Sequence, residues 1–286
     1  EPTREVEHRD RVMMLEAPFT GRPKQVTILE NRFSKIYWGE TRNTALVREY
    51  DSSRNWYYTW LVDPDNPDID DRLLWSHSVN ERYEHPGFPL MRQLPNGKRA
   101  MRVHSNSIFL NGNGSSVEGD RPFLDKLNLV KFEREHLFKC DEDSYEAVVA
   151  LLSDDGLEYV TRHETEDEHP NYFVRKVGEL ERQPLTEFKD PAKSLREVQK
   201  KLITYERADG VMLNCMLHLP PGYDLDNPLP LPTILWAYPR AYTQGRMAGQ
   251  VSNSPHRFST FAGASPRFLA LQGYAVLDQV AIPIVG

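Results

Sequence analysis

The sequence predicts an all-β region of β-propeller blades, followed by the beginning of an α/β domain. Residues 1–190 contain short β-type runs between Gly, Pro, Asn and Asp turns, with almost no helical periodicity, which is typical of an all-β domain. After Asp190-Pro191 the pattern changes to strands that alternate with short helical stretches, which indicates an α/β sheet. The length of 286 residues also suggests about two domains.

A four-strand repeat runs through the first part of the chain. Its units begin at Phe33, Phe88 and Tyr145, at intervals of 55 and 57 residues. Four strands at this period fit propeller blades with modest loop insertions, whereas a β-sandwich, the alternative, does not require such a repeat. Residues 1–190 are therefore predicted to hold about three blades and, at residues 11–29, the outer strands of another. The predicted runs are residues 33–39, 44–50, 56–63 and 72–75, then 88–91, 107–110, 123–129 and 135–138, then 145–152, 158–161, 171–177 and 183–186.

The second part is predicted to contain a linker helix and four strands. Leu195, Val198 and Leu202 recur at helical spacing and Ser194 is an N-cap candidate, so a helix is predicted within residues 191–201. The predicted strands are residues 202–207, 211–219, 233–238 and 274–280, with a turn at 208–210 and a short helix at 266–272.

The composition argues against nucleic-acid and membrane partners. The chain carries 35 Lys and Arg against 42 Asp and Glu, a net charge of −7, and no basic stripe that could neutralise phosphates. The longest apolar runs, residues 148–152 and 274–280, are far too short to span a bilayer, so we expect a soluble protein. No charged-then-apolar leader precedes the fold, so we expect any targeting region to lie outside this sequence. The compartment and the oligomeric state stay open.

The residue patterns lead us to expect no metal and no organic cofactor. Cys140 and Cys215 lie in different predicted domains, where two buried thiols are favoured over a disulfide, and two lone cysteines cannot form a zinc site. The acidic run at residues 164–168, between His163 and His169, is most simply a hairpin tip. The acidic run at residues 63–71 lacks the glycine and the terminal glutamate of a known calcium loop, so a turn is favoured there too.

Several short motifs follow one another in a recognisable order. They are Gly119-Asp-Arg-Pro-Phe-Leu-Asp125, Leu219-Pro-Pro-Gly-Tyr-Asp224 and Leu235-Trp-Ala-Tyr-Pro239, with Gly249-Gln-Val251, Ser254-Pro255 and Ile282-Pro-Ile-Val-Gly286 adding to them. Each motif is weak alone, but their order and spacing after the repeats resemble the prolyl oligopeptidase family of serine peptidases. Within that family the glutamyl endopeptidase-like branch is most similar to this chain, and the resemblance covers essentially the whole sequence.

The resemblance implies a two-domain enzyme in which a propeller caps an α/β-hydrolase domain. A Ser–His–Asp triad would do the chemistry, with the serine on a G-x-S-x-G elbow. No such pentapeptide occurs in this sequence, and the nearest approach, Gly263-Ala-Ser-Pro-Arg267, lacks the second glycine; Ser265 is better explained as a helix N-cap. We therefore expect a fragment whose residues 202–286 form the truncated start of the hydrolase domain, without the nucleophile and inactive alone.

The resemblance also implies one catalytic position and a binding function for nearby cations. Tyr238 stands where the family has a strand-end tyrosine that donates to the oxyanion hole, although Pro239-Arg240 replaces the small residues common in the wider family. A glutamate-preferring peptidase needs a cation for the substrate carboxylate, and arginine suits this task; the candidates are Arg240, Arg246 and Arg257. The alternatives are a tyrosine that covers the sheet edge and ordinary solvated loop charges.

Two functions are consistent with these patterns. The first is a fragment of a serine peptidase that acts on peptides through an acyl-enzyme, with a preference for glutamate at the cleaved bond. The alternative is a non-catalytic β-propeller module that binds peptides or proteins and lacks a functional hydrolase domain. The reading frame around the 286 residues discriminates between them.

Overall fold

The computed structural model describes residues 6–242 and 245–285, apart from the side chains of Ser194 and Arg240. The described part of the chain is nearly all β. Its first two strands, β1 (Asp10–Met14) and β2 (Lys24–Leu29), form an antiparallel hairpin, where two strands of an earlier blade are expected.

The first predicted repeat unit is confirmed as a four-stranded antiparallel sheet whose strands pair in chain order. Residues 45–47, in the second of these strands, are completely buried, as expected for an inner strand with neighbours on both sides. The tight turn after the third strand is built on Asp63, whose Oδ1 accepts from the backbone N–H of Asp65 at 3.0 Å, so the acidic run there forms a turn as predicted. The strands are β3 (Arg32–Trp38), β4 (Ala45–Asp51), β5 (Trp56–Val62) and β6 (Arg72–Ser78).

The second repeat unit departs from a simple four-strand sheet. Its main sheet has the order β10-β11-β14-β15, with β7 pairing on β11, while β8 pairs with β9 and β12 with β13 in separate hairpins. The predicted run 88–91 is divided, because Met91 begins a hairpin closed by a turn in which Gly97 N–H donates to Leu94 O at 2.9 Å. The strands are β7 (Phe88–Pro89), β8 (Met91–Gln93), β9 (Arg99–Met101), β10 (Val103–His104), β11 (Ser107–Gly112), β12 (Ser115–Ser116), β13 (Gly119–Asp120), β14 (Phe123–Asn128) and β15 (Arg134–Lys139).

The third repeat unit is again four antiparallel strands in chain order, as predicted. The acidic run at residues 164–168 forms the tip between its second and third strands, where Thr165 N–H donates to Glu168 O at 3.3 Å. The hairpin interpretation is confirmed. The strands are β16 (Tyr145–Leu151), β17 (Glu158–Glu164), β18 (Asn171–Lys176) and β19 (Gln183–Pro184).

The last sheet is mixed and has the order β20-β21-β23-β22. β21 is antiparallel to both of its neighbours, whereas β22 and β23 are parallel. Parallel neighbours need a long crossover connection, and the described part of this crossover contains helix α1 and a 3₁₀ helix. The elements are β20 (Gln199–Glu206), β21 (Met212–Leu219), β22 (Thr233–Tyr242), α1 (Gly245–Ala248), a 3₁₀ helix (Pro266–Gln272) and β23 (Ala275–Val285).

Three details of this region differ from the sequence-based expectation. The linker helix is a short 3₁₀ helix at Lys193–Glu197, and its N-cap is Ala192, so the expectation that Ser194 caps it is wrong. The helix is short because the following residues extend β20 and pair with β21 from Gln199 onward. The two parallel strands also run further than predicted, since their pairing continues to Tyr242 and Val285. Tyr238 is consequently not at the end of its strand.

The described residues divide into two compact units. The first comprises the described residues up to Glu81 with Pro86–Asn111 and Asp125–His136, and the second comprises Arg82–His85, Gly112–Leu124 and the described residues from Leu137 onward. Each unit has its own apolar core. The main core of the first is formed by Tyr37, Leu46, Met101, Ile108, Leu110, Leu127 and Leu129, and a core of the second by Val198, Ala270 and Val276.

Both cysteines are buried free thiols, as predicted. No helix in the described ranges is both long and apolar enough to cross a membrane.

Gly249, which follows α1, lies in close contact with the backbone of β21. A Cβ placed on this residue would lie 1.8 Å from Met212 O and 2.7 Å from Met212 C. The Gly249 carbonyl also accepts a hydrogen bond from Asn214 Nδ2 at 3.0 Å. Only glycine allows the crossover to pass this close to the sheet.

We predict that Gly249→Ala destabilises the second unit by about 1–3 kcal/mol, because a backbone neighbour cannot move aside as a flexible side chain does. Urea unfolding of the two proteins measures the loss. Gly245→Ala in the same segment is the matched control, since its added methyl group would meet only Val285 Cγ1 at 3.9 Å. Equal stability of the two variants would contradict this account of the close approach.

Candidate functional site

Two of the sequence motifs meet in the second unit, at β13 and the crossover loop. Asp120 N–H donates to Asn253 O at 2.9 Å, and Asn253 N–H donates back to Asp120 Oδ2 at 3.1 Å. Burial raises the pKa of the Asp120 carboxyl above its ordinary value, and the hydroxyl of Ser115 donates to its other oxygen. This contact needs glycine at position 119. The residue has a φ of 119°, and a Cβ added to it would lie only 3.0 Å from Asn253 O.

The same crossover loop is also held through Gln250 and Val251. Gln250 Oε1 accepts from the backbone N–H of Arg82 at 2.7 Å, and the Val251 N–H donates to the hydroxyl of Tyr83 at 2.9 Å. These bonds and those of Asn253 position the loop next to the parallel strands.

A β-bulge shapes the parallel pair at the point where the loop approaches it. The pairing of Leu235 with Leu277 is followed by that of Ala237 with Val280, so Asp278 and Gln279 together stand opposite one residue of β22. A bulge of this kind re-aims side chains. Asp278 is buried and accepts from Arg267 Nε at 2.9 Å, whereas the exposed Gln279 has a φ of 57° and lines both of the cavities described next.

The first cavity, which we call the Tyr238 cavity, lies along the second halves of β22 and β23 and has a volume of about 290 Å³. The side chain of Tyr238 is 76% exposed, so its hydroxyl is available to donate to a ligand. No histidine occurs among the described residues that line the cavity, which are Arg82, Asn214, Trp236, Ala237, Tyr238, Tyr242, Ala248, Gln250, Ser252, Asp278, Gln279, Val280, Ala281, Ile282 and Pro283. The cavity thus offers hydrogen-bond donors but no serine–histidine pair.

The second cavity, which we call the cationic cavity, has a volume of about 250 Å³. The basic side chains on its walls are half-buried. Within it Arg162 Nη1 lies 2.9 Å and Arg257 Nε 3.4 Å from the same oxygen of Glu164. Its lining residues are Arg162, Glu164, Lys200, Met216, His218, Asn253, Ser254, Arg257, Phe258, Ser259, Thr260, Arg267 and Gln279.

Burial shifts the proton equilibria of two residues of the cationic cavity. Desolvation lowers the pKa of Lys200 to about 8, although its ammonium group donates to the backbone carbonyl of Arg257. Desolvation, together with the nearby charges of Arg267 and Lys200, lowers the pKa of His218 to about 4. The ring is therefore neutral at pH 7. Its Nε2 lies 4.0 Å from Asp278 Oδ2, which is too long for a hydrogen bond.

The structure places the predicted site residues at different positions. Tyr238 lines the Tyr238 cavity, whereas Arg257 lines the cationic cavity; Gln279 lines both. Arg246 is exposed on α1, and the side chain of Arg240 lies outside the described residues. Ser265 is confirmed as a helix N-cap, since its Oγ accepts from the Arg267 N–H at 3.4 Å.

Sequence reasoning missed Lys200, His218 and Arg267. His218 offered a signal, because it is a lone imidazole in the otherwise apolar end of a strand. Lys200 and Arg267 offered none, because both fall in segments predicted to be short helices, where a lysine or an arginine is an ordinary surface residue. Among the described residues no group of three or more His, Cys, Asp or Glu is arranged to hold a metal ion.

We predict that His218 makes the protein less stable as the pH falls from about 6.5 to about 4. In this window the unfolded chain binds a proton at His218 that the folded chain does not bind, since the folded pKa is lowered to about 4. By linkage, the loss at pH 5 is about 2 kcal/mol. Urea unfolding at pH 7.5 and pH 5 measures it, and His218→Leu should remove this part of the pH dependence.

An NMR titration provides a control that does not depend on unfolding. The imidazole proton resonance that is absent in His218→Leu should keep its neutral position at pH 5. A resonance that titrates near pH 6.5 would contradict the prediction.

Comparison with known proteins found no family model that matches the chain. Two curated proteins, each named "Probable glutamyl endopeptidase, chloroplastic", match 99% of it: the one from Oryza sativa subsp. japonica is 34% identical over 303 residues, and the one from Arabidopsis thaliana is 32% identical over 304 residues. The chain spans only 32% and 31% of their lengths.

Among solved structures, the crystal structure named as a "putative dipeptidyl aminopeptidase IV" from Bacteroides ovatus is similar in fold. Its TM-score is 0.53 with 14% sequence identity, over 94% of this chain and 44% of that one. At this level of identity the likeness concerns the fold alone.

Proposed function

We propose that the chain forms part of a serine-type peptidase of the prolyl oligopeptidase family, because it matches, over 99% of its length, two curated proteins named as probable glutamyl endopeptidases. The parent enzyme would hydrolyse peptide bonds through an acyl-enzyme. The observation that carries the proposal is the 34% identity over 99% of the chain. Because the chain spans about a third of that relative, the activity of the whole protein is part of the proposal.

We assign residues 1–190 to part of a β-propeller and residues 202–286 to the start of an α/β-hydrolase domain. The sheets β3–β6 and β16–β19, each with four antiparallel strands in chain order, support the first assignment. The parallel pair β22 and β23 with its crossover supports the second. On the edge strand β22, Leu235 is 56% and Trp236 is 55% exposed, as expected of a strand that further chain covers.

In this proposal Tyr238 donates its hydroxyl to the oxyanion that forms when the acyl carbonyl is attacked. Its exposed position on the Tyr238 cavity supports the role, because a donor must be reachable by substrate. A single donor of this kind contributes about 2.7–4 kcal/mol to lowering the barrier. The triad serine, histidine and aspartate would be supplied from outside these residues, since no serine–histidine pair lines the cavity in the described part of the chain.

The glutamate preference of the parent enzyme would come from the arginines near the crossover. Arg257 is the best-supported candidate, because it lies in a cavity rich in cations and only partly engages Glu164, at 3.4 Å. A substrate carboxylate would then compete with Glu164 for the guanidinium group. Arg246 and Arg240 are further candidates for the same function.

We predict that Tyr238→Phe, in the full-length protein that contains these residues, lowers kcat by about 10²–10³ and leaves KM within a few-fold, because the lost bond forms mainly in the transition state. Steady-state kinetics with a glutamate-containing peptide measures both constants. Tyr242→Phe is the matched control, since Tyr242 lines the same cavity. An unchanged kcat in Tyr238→Phe would remove Tyr238 from the oxyanion hole.

The 286-residue chain itself should not react with a fluorophosphonate probe, which labels activated serines. The corresponding full-length reading frame should contain a G-x-S-x-G elbow and later Asp and His residues, and its product should be labelled. A reading frame without the elbow would favour the non-catalytic propeller module. Labelling of the 286-residue chain would show that the nucleophile lies within it.

A further inference from the structure

The described residues that line the cationic cavity include more basic than acidic side chains. Four basic side chains line it, yet the ion pairs formed among the described residues use only the carboxylates of Glu164 and Asp278. Glu166 acts on Lys200 and Asp120 acts on Arg257 from outside the lining, so the excess of cations concerns the described lining residues, among which Glu164 is the one acid. The basic residues are Arg162, Lys200, Arg257 and Arg267.

Unused hydrogen-bonding capacity lies on the same wall. His218 is only 1% exposed, and neither of its ring nitrogens has a hydrogen-bond partner among the described residues. A buried polar group without a partner is costly and is rare in folded proteins. The ammonium group of Lys200 has three N–H donors, one of which is used by the Arg257 carbonyl.

We propose that the cationic cavity binds a small oxyanion, held by the charges of Lys200 and Arg267 and by a ring N–H of His218. The oxyanion is either the carboxylate of an acidic peptide side chain or a free inorganic anion such as sulfate or phosphate. The first source rests on the proposed peptidase function, whereas oxyanion binding itself does not.

The lowered pKa of Lys200 favours a bound anionic ligand over an ion pair that is already complete within the protein. A lysine that is fully paired inside a protein has its charged form stabilised, which raises the pKa. Here desolvation outweighs the attraction of Glu166 and Glu164, so the pKa is lowered. An oxyanion in the cavity would supply the missing negative charge. The volume of about 250 Å³ accommodates such a group together with part of a side chain.

The first test is sulfate binding to the 286-residue chain, measured by isothermal titration calorimetry at low ionic strength, where screening is weak. We expect saturable binding to the wild type and at least tenfold weaker binding to Lys200→Met, which keeps the apolar stem and removes the charge. Lys201→Met is the matched control, because Lys201 is the exposed neighbour on the same strand, and it should bind sulfate like the wild type. Absent wild-type binding, or equal binding by Lys200→Met, would overturn the proposal.

A second measurement needs no variant and protects the test against misfolding of Lys200→Met. Sulfate keeps its charge between pH 7 and pH 9, whereas Lys200, with a pKa of about 8, loses its charge over this range. Wild-type affinity for sulfate should therefore fall about tenfold from pH 7 to pH 9. An affinity that does not change with pH would contradict the role of Lys200. The charged and titratable groups that act on Lys200 are Glu164, Glu166, Arg196, Arg267 and His218.

The two sources of the oxyanion are separated by a pair of blocked amino acids. N-acetylglutamate amide carries the carboxylate, and N-acetylglutamine amide is its neutral counterpart. Binding of the first that is at least tenfold tighter than that of the second, with displacement by sulfate, identifies an acidic side chain as the ligand. Binding of sulfate and phosphate with neither amide identifies a free anion, and would leave the peptidase proposal intact while removing the cavity from substrate recognition.

Discussion

The parallel pairing of β22 with β23 is the constraint on which the rest of the candidate site depends. Two parallel neighbours cannot be joined by a tight turn, so the chain leaves the sheet after Tyr242 and returns at Ala275. The returning segment carries the residues that contact Asp120, two arginines of the cationic cavity, Arg257 and Arg267, and the 3₁₀ helix at Pro266–Gln272. The bulge in the same pairing directs Asp278 toward Arg267.

The two cavities differ in how they offer hydrogen-bond donors. The Tyr238 cavity presents a hydroxyl on a side chain that is 76% exposed. The cationic cavity presents charges whose solvation is reduced by burial, which strengthens their attraction for an anion. Because Gln279 lines both cavities, the proposed oxyanion-hole donor and the proposed oxyanion site occupy adjoining surfaces of one unit.

Homology and geometry support different parts of the functional account. The proposed peptidase activity rests on the similarity to relatives named as glutamyl endopeptidases, which extends over nearly the whole chain. The geometry supplies the exposed Tyr238 hydroxyl and the half-buried cations to which the proposal assigns roles. Arg257 belongs to both lines of argument, since it was singled out from the sequence and lies in the cationic cavity beside Glu164.

Local patterns allowed much of the fold to be predicted. The four strands of β3–β6 and those of β16–β19 follow from alternating runs between turn residues, which act over a few positions. The short helix at Pro266–Gln272 with its Ser265 cap was predictable for the same reason. The linker helix was overestimated, because pairing of Gln199 with Leu219 outweighs a weak local preference for helix.

Residue patterns alone were sufficient to locate most strands and turns, to predict two buried thiols and to identify the family that the chain resembles. Three features became visible only in the folded chain: the parallel strands extend past Tyr238, a bulge falls at residues 278–279, and one cavity contains Arg162, Lys200, His218 and Arg267. The difference lies in how far apart along the chain the interacting residues are. Turns and alternation are set by neighbouring residues, whereas strand register and the meeting of charges depend on contacts between residues far apart in the chain, such as Glu164 with Arg257.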